Sequence, residues 1–436
     1  MTYHNAMKYI KCAPEPGGGK PNYNGIRLLC EKLGNPQKKL RYLRLAGNNG
    51  KTVCGRMLVS ILKSAKVPTG CLTMPLHDDL RENILVDGEP LSMEETVHLV
   101  EQISRAVTEI NREAAEEQNT DGSESDSKLH ALSLPFRPTS SEILLTMALL
   151  AFREKGCVLC LIESDHNGAD PSKFLSAPFA AMICGTIPSG EEKEIIKIRS
   201  YICRGIQEIV SAPQNSEAFR VISDTCSSVN CRLTLPKKNE VKINRLTLRG
   251  TDFSYKGTDY SLRLCGKFQV MNAVVVLETV EMLRRRGYGI YPEAIAAGFA
   301  TLNLRSRFEV LSVMPLIIAD STHKTVAIHT VCDSMADFKE ITGTRVRLCL
   351  PEGELVSHYI AALEERGYEI ESVVCMAARQ GSDILDVSPS VTVCPTPKAT
   401  AHAALSGLEQ DQILLISGNC LFTDSIRYEI LGILSY

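Results

Sequence analysis

The chain has 436 residues, 44% hydrophobic, 23% charged and 6% aromatic, which exceeds a single hydrophobic core and calls for two or three domains. A net charge of -3 argues against a broadly basic surface, so neither nucleic acid nor membrane is expected as a partner. No run approaches the ~18 apolar residues of a membrane span, and the first eleven residues lack the apolar stretch of a signal peptide, so a cytoplasmic protein is expected.

In chain order, residues 1–40 read as two helices around a Gly/Pro loop. Leu43-Arg44-Leu45-Ala46 then runs into Gly47-Asn48-Asn49-Gly50-Lys51-Thr52 and a helical pattern reaching about Ser64. Strand, Gly-rich turn and helix in that order make a phosphate-binding loop. Gly47 and Gly50 permit backbone angles that turn consecutive N–H groups towards an anion, Lys51 supplies a cation, and the helix N-terminus adds partial positive charge. The pattern is the short G-x-x-G-K-T, because Leu45 stands where a full eight-residue phosphate loop begins. A plain strand–turn–helix corner is the competing reading of the loop taken alone.

A strand follows at 69–73, a helix from 92 to about 116 on the spacing Val97, Val100, Ile103, Val107, Ile110, and a solvated acidic loop to 128. Another helix spans 142–155. Val158-Leu159-Cys160-Leu161-Ile162 and residues 180–186 are continuous apolar runs of the kind buried in parallel sheets. Residues 247–264 read as antiparallel strands, with helices at 270–286 and 291–302 beyond them. Strands at 316–319, 346–350, 372–376 and 412–417 with helices between them restart the pattern. We therefore expect an α/β protein with a mainly parallel, phosphate-loop-type sheet domain at 1–303 and a smaller Rossmann-like α/β domain at 304–436. The sixteen Cys lie mostly within apolar runs and read as buried free thiols. Cys157-x-x-Cys160 has no second pair nearby and is rejected as a metal site.

Several segments resemble the folylpolyglutamate synthase and dihydrofolate synthase family, a branch of the Mur ligases, over nearly the whole chain. Ala46-Gly47-Asn48-Asn49-Gly50-Lys51 resembles its A-G-T-N-G-K loop. Arg81-Glu82-Asn83-Ile84 through Ser92 resembles its E-R-I-x-I-N-G-E-P-I-S stretch, and Glu142 with Thr146 its F-E-x-x-T helix. Residues 265–273 resemble G-x-H-Q-x-x-N-A, Arg307-Phe308-Glu309 resembles G-R-x-E, and Asp320-Ser321-Thr322-His323 resembles D-G-A-H. Residues 418–427 resemble the closing G-S-x-Y segment.

The resemblance implies Mur ligase central and C-terminal domains with the active site in the cleft between them, and ATP and Mg²⁺ as cofactors. It implies transfer of the γ-phosphoryl of ATP to a folate-like carboxylate, then attack by the amine of an amino acid such as glutamate. Carried over by position, Gly47, Asn49, Gly50, Lys51 and Thr52 hold the phosphates, and Glu163 binds magnesium. Gln269, Asn272, Arg307 and Asp320 contact the nucleotide, and Lys51, Glu163 and His323 serve catalysis. A monomer is expected.

The departures from the family fall on metal positions. Thr73-Met74-Pro75-Leu76-His77 has a thioether where the family has a Ser hydroxyl, with His77 one place late. Ile187-Pro188-Ser189 replaces an Asp-His ligand, and Cys203-Arg204 lacks the family's Lys. Asp165 and His166 are additional polar groups after Glu163. Two functions stay open on the sequence: an active ATP-dependent carboxylate–amine ligase, and a catalytically impaired relative that binds nucleotide as a regulatory or interaction module.

Overall fold

The structure is a computed structural model and describes residues 1–14, 23–74, 79–119, 135–164, 170–322, 325–353, 355–377 and 390–435. The helices are α1 Tyr3–Lys11, α2 Asn24–Lys32, α3 Lys51–Ser64, α4 Met93–Asn119, α5 Ser140–Glu154, α6 Glu192–Arg199 and α7 Ser216–Ser228. They continue with α8 Lys267–Arg285, α9 Pro292–Thr301, α10 Thr325–Ala336, α11 Lys339–Thr342, α12 Leu355–Glu364, α13 Pro397–Leu405 and α14 Cys420–Leu434. The strands are β1 Tyr42–Gly47, β2 Thr69–Leu72, β3 Ile84–Val86, β4 Glu89–Pro90, β5 Leu159–Glu163, β6 Ala180–Cys184, β7 Glu208–Ser211 and β8 Arg232–Thr234. Three more follow as β9 Val241–Thr247, β10 Gly250–Tyr255 and β11 Thr258–Leu262. The last are β12 Glu309–Val313, β13 Leu316–Asp320, β14 Arg345–Pro351, β15 Glu369–Met376, β16 Ser390–Cys394 and β17 Gln412–Ser417.

Two compact units result, one of Met1–Pro236 with Val275–Gly298, the other of Lys237–Val274 with Phe299–Tyr436. This division differs from a single cut near 303. The antiparallel sheet β11-β10-β9 groups with the C-terminal half, where Leu246 of β9 and the following Leu248 pack against the core. Phe253 stacks on Tyr260 at 5.4 Å between centroids, and both rings lie against Phe299.

The first unit holds an eight-stranded sheet in the order β4-β3-β2-β5-β1-β6-β7-β8. Six strands are parallel. The β3–β4 ribbon is antiparallel at one edge, within the mainly parallel sheet expected, because the short Asp87-Gly88 turn can only reverse the chain. Parallel strands with both faces covered are uniformly apolar, and all six residues of β1 are buried. Helices α1, α2, α4 and α5 pack into one cluster with Tyr42, Leu72, Cys160 and Ile162, while α6 and α7 cover Ala181, Ile183 and Ile209. The start of α5 explains the Glu142…Thr146 motif locally. Thr139 caps the Glu142 N–H, Glu142 Oε2 accepts from the Thr139 N–H at 2.8 Å, and Thr146 Oγ1 donates to the Glu142 carbonyl at 2.7 Å. This capping box satisfies donors that a helix N-terminus otherwise leaves open.

The second unit holds a six-stranded sheet ordered β12-β13-β17-β14-β15-β16, parallel except for the antiparallel edge strand β12. Its two faces bury separate clusters, one with α10 and α12, the other with α13 and α14. Fourteen of the sixteen Cys are buried free thiols, Cys12 being exposed and Cys203 intermediate, in keeping with their use as small apolar side chains. Among the described residues no helix is long and apolar enough to cross a membrane.

Candidate active site

In the first unit the phosphate-type loop lies at the carboxyl end of β1, where the chain reverses its winding. From β1 it runs through α3 to β2 on one side, and from β5 it crosses β1 to β6 on the other. Crevices outside the carboxyl ends of strands at such a reversal are where open α/β sheets bind ligands. The loop sits tightly against the neighbouring strand. Gly47 has φ +121°, and a Cβ there would lie 2.0 Å from the Cys184 carbonyl oxygen; Gly185 leaves room for the Asn49 backbone in the same way, its Cβ position being 2.7 Å from the Asn49 oxygen. Gly50 takes the left-handed N-cap position of α3 with φ 78°.

Lys51 opens α3 and is buried, 6% exposed in its side chain. Its Nζ donates to the Gly47 carbonyl at 3.2 Å and stands 3.9 Å from Glu163 Oε1. Glu163 closes β5, with its side chain 2% exposed, and accepts the Thr52 hydroxyl at 3.1 and 3.3 Å. A strand-end surface carboxylate would face water; this one is buried beside a cation and a hydroxyl. Sequence separation hides the arrangement, since Thr52 and Glu163 are 111 residues apart.

The metal-type departures have their own local roles. Met74 is buried, and the preceding Thr73 is fixed by Asn83, whose Nδ2 donates to the Thr73 carbonyl at 2.8 Å. Ile187 and Ser189 are tied down by Gln214 and Asn215: the Ile187 N–H donates to Gln214 Oε1 at 2.9 Å, and Asn215 Nδ2 donates to the Ile187 carbonyl at 2.8 Å. His77, Asp165 and His166 lie outside the described residues.

The second unit gathers a separate set. Gln269, on the first turn of α8, is fully buried; its Oε1 accepts from Asn272 Nδ2 at 3.0 Å, while its Nε2 has no acceptor among the described residues. Next to it Phe268 packs edge-on to Phe308 at 6.3 Å, bringing the start of α8 to the turn that carries Arg307. The Arg307 Nη2 reaches Cys420 Sγ at 3.6 Å. Asp320, buried at the end of β13, accepts the Phe308 N–H at 2.7 Å and the Thr322 hydroxyl. Burial raises the Asp320 carboxyl above its ordinary range; the Thr322 hydroxyl, the Arg307 charge and the backbone donors pull it back. His323 lies outside the described residues. Glu309 and Arg427 belong to segments that resemble the family, yet the sequence assigns neither a role. Their pairing joins segments 118 residues apart, and no local pattern signals it.

A phosphate-type loop with a buried Lys–Glu pair thus stands at a strand switch point of the first unit, and the second unit is a further, mainly parallel α/β sheet. No family model matches the chain. A halobacterial protein described as a probable bifunctional folylpolyglutamate synthase/dihydropteroate synthase (Halobacterium salinarum) is 26% identical over 338 residues; they cover 74% of this chain and 38% of that protein. The folylpolyglutamate synthase (FPGS) of Lacticaseibacillus casei is 20% identical, with 99% of each chain covered. Among solved structures, the apo form of L. casei FPGS superposes with a TM-score of 0.78 at 18% identity, covering 99% of this chain and 100% of that one. An FPGS–AMPPCP–folate complex gives 0.77 at 18% identity, with 99% and 100% covered. The chain is thus similar to folylpolyglutamate and dihydrofolate synthases, and the solved structures share its α/β fold.

Proposed function

We propose that this chain joins the carboxylate of a folate-like acceptor to the amine of glutamate at the expense of ATP. The observation that carries this reading is the buried set of Lys51, Glu163 and Thr52 at the carboxyl end of the central strands. The γ-phosphoryl group passes from ATP to a carboxylate oxygen of the acceptor, releasing ADP. The amine then attacks the acyl carbon, the C–N bond forms, and phosphate leaves.

Such a transfer asks the protein chiefly to hold two anions in line and to neutralise charge on the moving phosphoryl group. Backbone N–H groups of the Gly47–Gly50 loop, including Asn49, cradle the phosphates, with Lys51 and Thr52 reaching the outer ones. Glu163 and the Thr52 hydroxyl are hard oxygen donors side by side, a set that fits Mg²⁺. Bound there, Mg²⁺ supplies charge neutralisation for the phosphoryl group. Gln269, Asn272, Arg307 and Asp320 serve as nucleotide contacts, and His323 as a further catalytic group. The buried Nε2 of Gln269 supports the first of these.

The test is phosphate release with ATP, Mg²⁺ and glutamate across a panel of pteroates and folates, with the product identified by mass. An added glutamyl residue on one acceptor is the expected result. Measurable ATP binding with no release on any acceptor would overturn the ligase reading.

A further inference from the structure

Arg307 is carried on a turn whose two flanking residues are both left-handed without being glycine, Ser306 with φ 52° and Phe308 with φ 54°. Backbone of that kind persists only where its surroundings over-determine it. Here three carboxylates do so. Asp320 accepts the Phe308 N–H at 2.7 Å, Glu309 Oε2 accepts the Ser306 N–H at 2.8 Å, and Asp424 Oδ1 accepts the Ser306 hydroxyl at 2.7 Å. The Ser306 carbonyl in turn accepts the Ser321 N–H at 2.8 Å.

Glu309 is itself held by a cation. Arg427 grips it with both arms of its fork, Nε to Oε2 at 2.6 Å and Nη2 to Oε1 at 2.7 Å, and the two side chains are 17% and 15% exposed. Two parallel donors fix the plane of the carboxylate, and with it the direction of the Oε2 lone pair that meets Ser306. Arg427 and Asp424 lie three residues apart on α14, so one face of that helix supports the turn. The Arg307 guanidinium rests on Cys420 in the first turn of the same helix.

We infer that Glu309 and Arg427 are positioning residues: their bidentate pair locks the strained turn that presents the Arg307 guanidinium, and they act on the nucleotide only through Arg307. This rests on the reading of Arg307 as a nucleotide contact. An ion pair that merely stabilised the fold would change the melting temperature and leave nucleotide affinity alone. A positioning pair changes affinity, because Arg307 without its clamp must give up conformational freedom on binding.

The full chain is tested by calorimetric titration with the non-hydrolysable analogue AMPPCP and Mg²⁺, alongside KM for ATP and thermal melting. Arg427→Met and Glu309→Gln should each weaken AMPPCP binding by about tenfold, and Arg427→Lys, which keeps the charge without the fork, should recover only part of it. Arg307→Ala should weaken binding at least as much, and Arg307→Ala with Arg427→Met no further. Should Arg427→Met fail to fold, Glu309→Gln and Asp424→Asn carry the same comparison. The proposal is overturned if Arg307→Ala weakens binding while Arg427→Met and Glu309→Gln bind within about twofold of wild type, or if the double variant is additive. If Arg307→Ala itself binds normally, the nucleotide reading of Arg307 fails and takes the proposal with it; the two failures differ in that one variant.

Discussion

Lys51→Met removes the ammonium that faces Glu163 while keeping much of the apolar stem, and its effect should appear before any nucleotide is added. At the observed 3.9 Å, an effective dielectric of about 20 makes the gross attraction about 4 kcal/mol. Desolvation of both groups offsets part of this in the intact pair, but removing one partner leaves the other charge buried, and such changes typically cost about 3–5 kcal/mol. Glu163 keeps the Thr52 hydroxyl, which argues for the lower end, about 3 kcal/mol. For a unit of this size that corresponds to a fall in melting temperature of about 6–12 °C, read by differential scanning calorimetry of the nucleotide-free protein. Glu163→Gln in the same background should restore at least half of the loss, because the stranded charge is gone; the double-mutant cycle isolates the pair. A Lys51→Met protein that melts with wild type, or a cycle with no coupling, would refute the buried pair as an energetic unit. The same variant should lose ATP affinity, and unchanged affinity would remove Lys51 from phosphate binding.

Gly47→Ala combines a positive-φ penalty with a Cβ 2.0 Å from the Cys184 carbonyl, so β1 and β6 must part by about 1 Å or the loop must move. A lower melting temperature together with loss of ATP binding is expected, and wild-type values for both would contradict the tight strand contact. Asp79 tests pH dependence: hydrogen bonds from the Arg81 side chain, 3.0 Å from Nε to Oδ1 and 2.5 Å from Nη2 to Oδ2, hold its carboxyl below the usual range against burial, which raises it. A depressed folded value means the stabilisation is present above the unfolded value near ~3.9 and is lost as pH falls through the folded one. The pair is partly exposed, so Asp79→Asn should cost less than about 1 kcal/mol at pH 7, and the gap to wild type in urea unfolding should close towards pH 3. A gap that widens on acidification would reverse the assignment.

Much of the first unit was legible in the sequence because its signals are local. Glycines at 47 and 50, an apolar run before them and a helical pattern after them are read within twenty residues, and the structure has that strand, loop and helix. Continuous apolar runs located β5, β6 and β17 in the same way. The Glu142…Thr146 motif was visible too, but only the geometry shows that it serves as a helix cap.

What the tertiary structure alone decided is which polar groups meet. Whether Glu163 faces water or is buried beside Lys51 and Thr52 depends on β5 lying next to β1, a consequence of crossover topology that no window of sequence contains. The grouping of β9–β11 with the C-terminal half accompanies the packing of Leu246 and Leu248 on its core. The turn of Arg307 owes its shape to Glu309, Asp320, Asp424 and Arg427, drawn from three elements. Backbone propensity acts over a few residues and can be read along the chain. Burial of a charge is set by everything that surrounds it, and that is known only once the chain has closed on itself.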